Sequence, residues 1–225
     1  MAATPTAPPR RRRMSRADRE RQMLAVAEQV FAERGYRAAS MDDIAERVGV
    51  SKPMLYEYFG SKDGLMRATI AHNRAALLEV TSRAVRAGSS PRDMLRRGLV
   101  AYFEFAEEHR QAWAVLRNEA ALLAGAAAGE AAEEVEATRR QQTAFMAGAM
   151  ASFLPEVPPT RLEAYAEILV GACERLTLWR DRHPEVTATE AAGCVLDLAW
   201  PGLAALGGSP VAGMCPDVPA GRLGG

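Results

Sequence analysis

Within twelve residues in the first third of this sequence stand five side chains suited to holding phosphate: Ser51, Lys52, Tyr56, Tyr58 and Lys62. Hydroxyl and ammonium groups donate to phosphate oxygens. A serine opening a helix adds unpaired backbone N–H groups and the positive end of the helix dipole. The chain has 28 basic residues, of which only Lys52 and Lys62 are lysine, and both flank this one segment. A composition that otherwise prefers arginine gives way here to slim, flexible point charges. Pro53 and Met54 lie in the first turn. Leu55 and Phe59, four apart, supply the inward face, so at least one of the two tyrosines must face out.

Such a helix needs a support that offers it to a partner. Upstream, Ile44, Ala45 and Val48 share one face of another short helix, and Gly49 follows where a tight or left-handed turn is required. Two short helices joined in this way form a helix-turn-helix, whose second helix enters a DNA major groove. Leu24, Ala27 and Phe31, spaced three and four apart, give the preceding helix an apolar stripe to brace the pair.

The run from Gly49 to Leu65 (GVSKPMLYEYFGSKDGL), with Phe31-Ala32-Glu33-Arg34-Gly35-Tyr36 and Ser40-Met41-Asp42-Asp43-Ile44-Ala45 before it, resembles the TetR family of transcription regulators over roughly residues 17–70. The resemblance implies an all-α fold: an N-terminal three-helix DNA-binding domain and a C-terminal helical ligand-binding and dimerisation domain. It implies that Ser40, Tyr56, Tyr58 and Lys62 hold phosphates while Lys52, Pro53 and Met54 lie nearest base edges. Met54 departs from the family's frequent threonine and offers only an apolar contact, for instance to a thymine methyl. Phosphate contacts set register, and base contacts set sequence choice.

The remaining sequence agrees with this class. Hydrophobic residues make up 48%, enough for a core, and no run of about 18 apolar residues suggests a membrane span. Basic and acidic residues balance at 28 each, so no global field announces nucleic acid. Arginines concentrate at one end, with seven between Arg10 and Arg21. Arg10, Arg11, Arg12 and Arg13 form either a solvated tail or an arm that follows phosphates or the minor groove. Three scattered cysteines suggest reduced thiols and no disulfide framework, consistent with a cytoplasmic protein. His72, His109 and His183 stand on different elements, and no nucleophile motif or phosphate loop occurs. No catalytic residue, metal ligand or cofactor is expected.

Hydroxyl residues three before an acid mark helix starts at Ser15, Ser40, Ser90, Thr160 and Thr187. They predict nine helices, near 16–34, 41–48, 52–58, 62–86, 91–108, 111–123, 130–153, 161–181 and 188–206. The expected organisation is a disordered arm over 1–14, a DNA-binding domain over 15–62, a ligand-binding and dimerisation domain over 63–206, and a Gly/Pro-rich tail over 207–225. By resemblance, Leu99, Phe103, Trp113, Leu116, Phe145, Met146 and Met150 wall a ligand cavity, with Asn118 and Gln142 as polar anchors. A stripe at helical spacing is also what an ordinary core shows. Helices eight and nine carry more apolar surface than one covered face needs, so Leu169, Leu176, Leu196, Ala199 and Leu203 are expected at a homodimer interface. The resulting expectation is a repressor released from an inverted-repeat operator by a small apolar molecule. An activator or co-repressor-dependent regulator, a sequence-tolerant architectural DNA binder and a helical enzyme are the alternatives.

Overall fold

The computed structural model describes the backbone of residues 14–117 and 130–208. Arg10 to Arg13, Asn118, most of the Gly/Pro-rich tail and the side chain of Leu116 lie outside the described residues. Those described form nine α-helices and no strand: α1 (Arg16–Ala38), α2 (Met41–Val48), α3 (Lys52–Phe59), α4 (Lys62–Arg86), α5 (Pro91–Glu108), α6 (Arg110–Arg117), α7 (Glu130–Ala151), α8 (Pro159–Arg180) and α9 (Ala188–Gly208).

The helix starts follow local chemistry. Ser15, Ser40 and Ser90 accept the backbone N–H of Asp18, Asp43 and Asp93 at 3.0, 3.1 and 3.3 Å. Thr187 makes the full reciprocal box: Glu190 N donates to its hydroxyl oxygen at 3.2 Å, and its own N–H donates to the Glu190 carboxylate at 2.8 Å. Thr160 does not cap. α8 begins one residue earlier at Pro159, whose fixed φ and missing N–H suit the first helical position. Ser61 is a cap that the spacing rule passed over, accepting Gly64 N–H at 2.9 Å. Gly35 (φ 73°, ψ 165°) breaks α1 where the sequence predicted its end, and a last turn follows.

Two compact units emerge. The first combines residues 1–73 with 111–135, the second 74–110 with 136–225. The division falls inside α4, after Asn73, and not at residue 62 as the motif suggested. The physical reason is that Leu65, Met66 and Ile70 are fully buried, which makes the start of α4 part of the first unit's core. Met23, Ala27, Val30 and Phe31 of α1, Ile44 and Ala45 of α2, and Leu55 of α3 are buried in the same unit. Within the second unit α5 packs chiefly on α9 and also on α8. Its buried residues include Leu99 and Phe103 of α5, Leu162, Ala166, Leu169, Val170 and Cys173 of α8, and Ala191, Ala192, Val195 and Leu196 of α9.

Among the described helices, α9 is long and apolar enough to cross a membrane by length and composition. An unbroken-run criterion misses it because Glu190 and Asp197 interrupt the segment. Only 28% of that window is buried within the chain, so packing inside the second unit covers the smaller part of it.

Candidate nucleic-acid interface

Between α2 and α3 the chain turns on Gly49, held in the left-handed region (φ 77°, ψ 36°). Gly49 and Val50 N–H both donate to the Ala45 carbonyl at 3.0 Å, which closes the end of α2 and directs the chain into α3. Ile44 and Leu55, with no exposed surface, lock the two helices together. At the entry to α4 the backbone is so close that a Cβ on Gly64 would sit 2.0 Å from the Phe59 carbonyl oxygen. Only glycine fits there, and the approach fixes Lys62 relative to α3.

Ser51 occupies the position before α3, yet its hydroxyl makes no cap hydrogen bond. The next candidate donor belongs to Pro53, which has no N–H, and Met54 N–H donates to the Ser51 carbonyl at 3.0 Å. The serine hydroxyl therefore stands uncommitted at the head of α3. Ser40, by contrast, does cap α2, so its oxygen is in use as an acceptor while its proton can still be donated.

Tyr56 resolves the choice between the two tyrosines: it is 42% exposed, while Tyr58 is half-buried with the Arg16 guanidinium 5.1 Å from its ring centroid. Lys52 Nζ donates to the Asp42 carboxylate at 2.8 Å, and that bond and charge raise its pKa. Both partners are exposed, so the pair is worth little and exchanges readily for a phosphate or base. Lys62 Nζ lies 4.6 Å from the Tyr36 ring centroid and donates to the Arg37 carbonyl at 3.3 Å. Partial burial lowers its pKa. Tyr36 in turn donates to the Asp63 carboxylate.

Two residues were passed over in the sequence. Arg19 Nη1 lies 3.7 Å from Met54 Sδ, and Arg16 covers Tyr58, so the first turns of α1 extend the α3 surface with two guanidinium groups. Their i, i+3 spacing on one helix face was a legible signal.

The expected ligand-pocket residues divide. Leu99, Gln142, Phe145 and Met146 line one cavity of about 20 Å³, together with Tyr102 and Cys173. Met146 and Met150 line a second of about 20 Å³. Phe103 is fully buried and faces neither, with the Arg180 guanidinium 5.9 Å from its ring centroid. Trp113 belongs to the other compact unit. Of the expected interface residues, Leu169, Leu196 and Leu203 point into their own chain's core, at 5%, 3% and 6% exposure. Leu176 and Ala199 are half-buried. The unpartnered apolar surface belongs instead to Leu198 (87% exposed), Ile168 (66%) and Trp179, which with Leu176 and Ala199 line an open groove of about 550 Å³ along α8 and α9. Of the residues expected at an interface, Leu169, Leu176 and Ala199 line this groove, whereas Leu196 and Leu203 do not.

Comparison with known proteins places this architecture. Residues 23–69 match the family of bacterial regulatory proteins of the tetR type, and residues 91–202 match the tetracyclin repressor-like C-terminal domain. A TetR-like transcriptional regulator from Rhodococcus sp. RHA1 of known crystal structure is 37% identical, with a TM-score of 0.66, over 85% of this chain and 99% of that one. The chain belongs to the TetR family. The HTH-type transcriptional activator FasR of Mycolicibacterium smegmatis is 39% identical over 104 residues, 46% of this chain and 48% of FasR. The HTH-type transcriptional regulator EthR of Mycobacterium tuberculosis is 32% identical over 114 residues, 48% of this chain and 53% of EthR. The match thus spans about half the length of these curated relatives. FadR of Bacillus subtilis, whose crystal structure is a complex with stearoyl-CoA, shares the fold at a TM-score of 0.68 with 15% identity. These relatives are named as regulators of transcription, and none is named as an enzyme.

Proposed function

We propose that this chain is a ligand-responsive, sequence-specific DNA-binding regulator that acts as a homodimer, most simply as a repressor displaced from an inverted-repeat operator. The observation that carries this reading is the surface of α3. An uncommitted Ser51 hydroxyl, an exposed Tyr56 and an exchangeable Lys52 stand on one rigid helix, with Arg16, Arg19 and Lys62 around them. Ser40, Ser51, Tyr56, Tyr58 and Lys62 hold phosphates in this reading, and Lys52, Pro53 and Met54 read base edges. In this reading the DNA-reading module runs from residue 15 into the first half of α4, as far as Asn73, and the second compact unit regulates and dimerises. Arg10 to Arg13 add phosphate neutralisation in this reading.

α4 belongs to both compact units, so a ligand that shifts its second half moves the DNA-reading module attached to its first half. Ligand and DNA are then linked, each weakening the other's binding by the same factor. An activator would use the same face with the opposite sign of coupling, a possibility that the name of FasR keeps in view. Selection from random duplex DNA tests the proposal. An inverted repeat with half-sites about one helical turn apart is the expected product. Tyr56→Phe should weaken every selected site alike, and Met54→Thr should change which sequence is selected. Recovery of no repeat would overturn the specific-regulator reading in favour of sequence-tolerant DNA binding.

A further inference from the structure

The start of α1 and one ridge of α3 meet side chain to side chain. Arg19 Nη1 lies 3.7 Å from Met54 Sδ, and the Arg16 guanidinium lies 5.1 Å from the centre of the Tyr58 ring. The arginines are three apart on α1 and their partners four apart on α3, so each pair shares one helix face. The order is reversed between the helices: the earlier arginine meets the later residue of α3. At this contact the start of α1 therefore runs antiparallel to α3. The seating is anchored from within. Met23, one turn after Arg19 on the same face, and Leu55, next to Met54, have no exposed surface. Arg19 and Met54 are half-buried at the edge of that core.

The backbone of Met54 is fixed, since its N–H donates to the Ser51 carbonyl at 3.0 Å. What remains free is an unbranched side chain with three rotatable bonds, which repacks against irregular shapes. Left alone, such a side chain adapts to more than one base step and discriminates poorly. The Arg19 guanidinium removes part of that freedom. It is planar and preorganised, and it donates to the thioether sulfur, a weak acceptor. The neighbouring carboxylate does not draw it away: Asp18 already accepts from Ser15 and Arg21. Asp42, beside the head of α3, accepts from Lys52 at 2.8 Å.

We propose that Arg19 is a positioning residue for sequence readout: seated on the Met54 thioether, it holds that side chain in one arrangement, so that the base pairs facing Met54 are chosen by Arg19 and Met54 together. The inference rests on the specific-regulator reading above and deepens it, because a residue of α1 then shares in a choice otherwise made by α3. Three roles are separable by what they change. A packing role alone lowers the melting temperature. A charge role alone weakens binding to all sequences by one factor. A positioning role changes the ratio between operators that differ only where Met54 reads.

Selection from random duplex DNA with the full chain, followed by anisotropy titration of the selected operator and its single-site variants, tests this. The base pairs whose preference Met54→Ala removes are the ones that Met54 reads. A mismatch at a read base pair weakens binding by roughly five- to 150-fold. Arg19→Ala is expected to shrink that ratio at least threefold at those base pairs and to leave it unchanged elsewhere. Arg19→Lys keeps the charge but not the planar group, so it should hold affinity near wild type and still lose the ratio. Added to Met54→Ala, Arg19→Ala should cost no further discrimination. Circular dichroism melts verify that each variant is folded. Unchanged ratios in Arg19→Ala, a loss at base pairs other than those of Met54, additive losses in the double variant, or a Met54→Ala protein that selects the wild-type sequence would each overturn the proposal. Those outcomes leave the regulator reading standing; a wild-type protein that selects no inverted repeat removes both.

Discussion

Changing Leu198 to glutamate separates association from folding in this protein. Leu198 is 87% exposed in the single chain, so the substitution should leave monomer stability within about 0.5 kcal/mol. In a two-fold dimer built on the α8–α9 groove the same residue is covered twice, once from each protomer. Burying a leucine contributes about 1.5–3 kcal/mol, so both copies together supply about 3–6 kcal/mol of association energy. At about 1.4 kcal/mol per tenfold, losing that weakens the dimer by roughly two to four orders of magnitude, before the cost of burying two carboxylates is added. Sedimentation velocity at micromolar concentration should show wild-type dimer and Leu198→Glu monomer, with melting temperatures close to one another. Leu169→Glu is the informative contrast. That residue is 5% exposed within its own chain, so the change should cost the fold several kcal/mol and lower the melting temperature directly. A Leu198→Glu protein that sediments as the wild-type dimer, or a wild-type protein that is monomeric, would refute the assignment of this groove to a second copy.

Three further outcomes are expected. Gly49→Ala should destabilise the protein by about 1–2 kcal/mol in denaturant titration; a Cβ there meets no atom within 4 Å, so the whole cost comes from the left-handed backbone at φ 77°. Arg19→Ala should reduce the slope of log affinity against log salt by about 0.9 if its guanidinium neutralises one phosphate, and an unchanged slope would return Arg19 to a packing role beside Met54. Asp93 is held well below the usual carboxylate range by hydrogen bonds from Arg97 and Arg96, then by Ser89 N–H. Its lowered folded-state pKa means the contribution is complete above the ordinary value near 3.8 and is lost on acidification below it. Asp93→Asn should therefore lower the melting temperature at neutral pH, and the difference from wild type should shrink as pH falls below about 4.

Much of this protein was determined by short-range chemistry that the sequence displays directly. The caps at Ser15, Ser40, Ser90 and Thr187 act over three residues, Gly49 sits where a left-handed turn must be, and Pro155, Pro158 and Pro159 break the chain. The helices of the described residues and the placement of the helix-turn-helix follow from such local terms. Tertiary structure decided what depends on partners far away in the chain. Arg19 reaches Met54 across 35 positions, and Glu174 joins Arg139 across another 35. Lys52 rests on Asp42, ten residues back, instead of standing free. The first turns of α4 joined the DNA-reading unit because Leu65, Met66 and Ile70 found their burial there. On α8 and α9 the amphipathic pattern marked two apolar sides but not which one meets the chain's own core. Only packing against α5 turned Leu169 and Leu196 inward and left Ile168 and Leu198 facing out, because periodicity fixes the angle between two stripes on a helix and not the rotation of that helix about its axis.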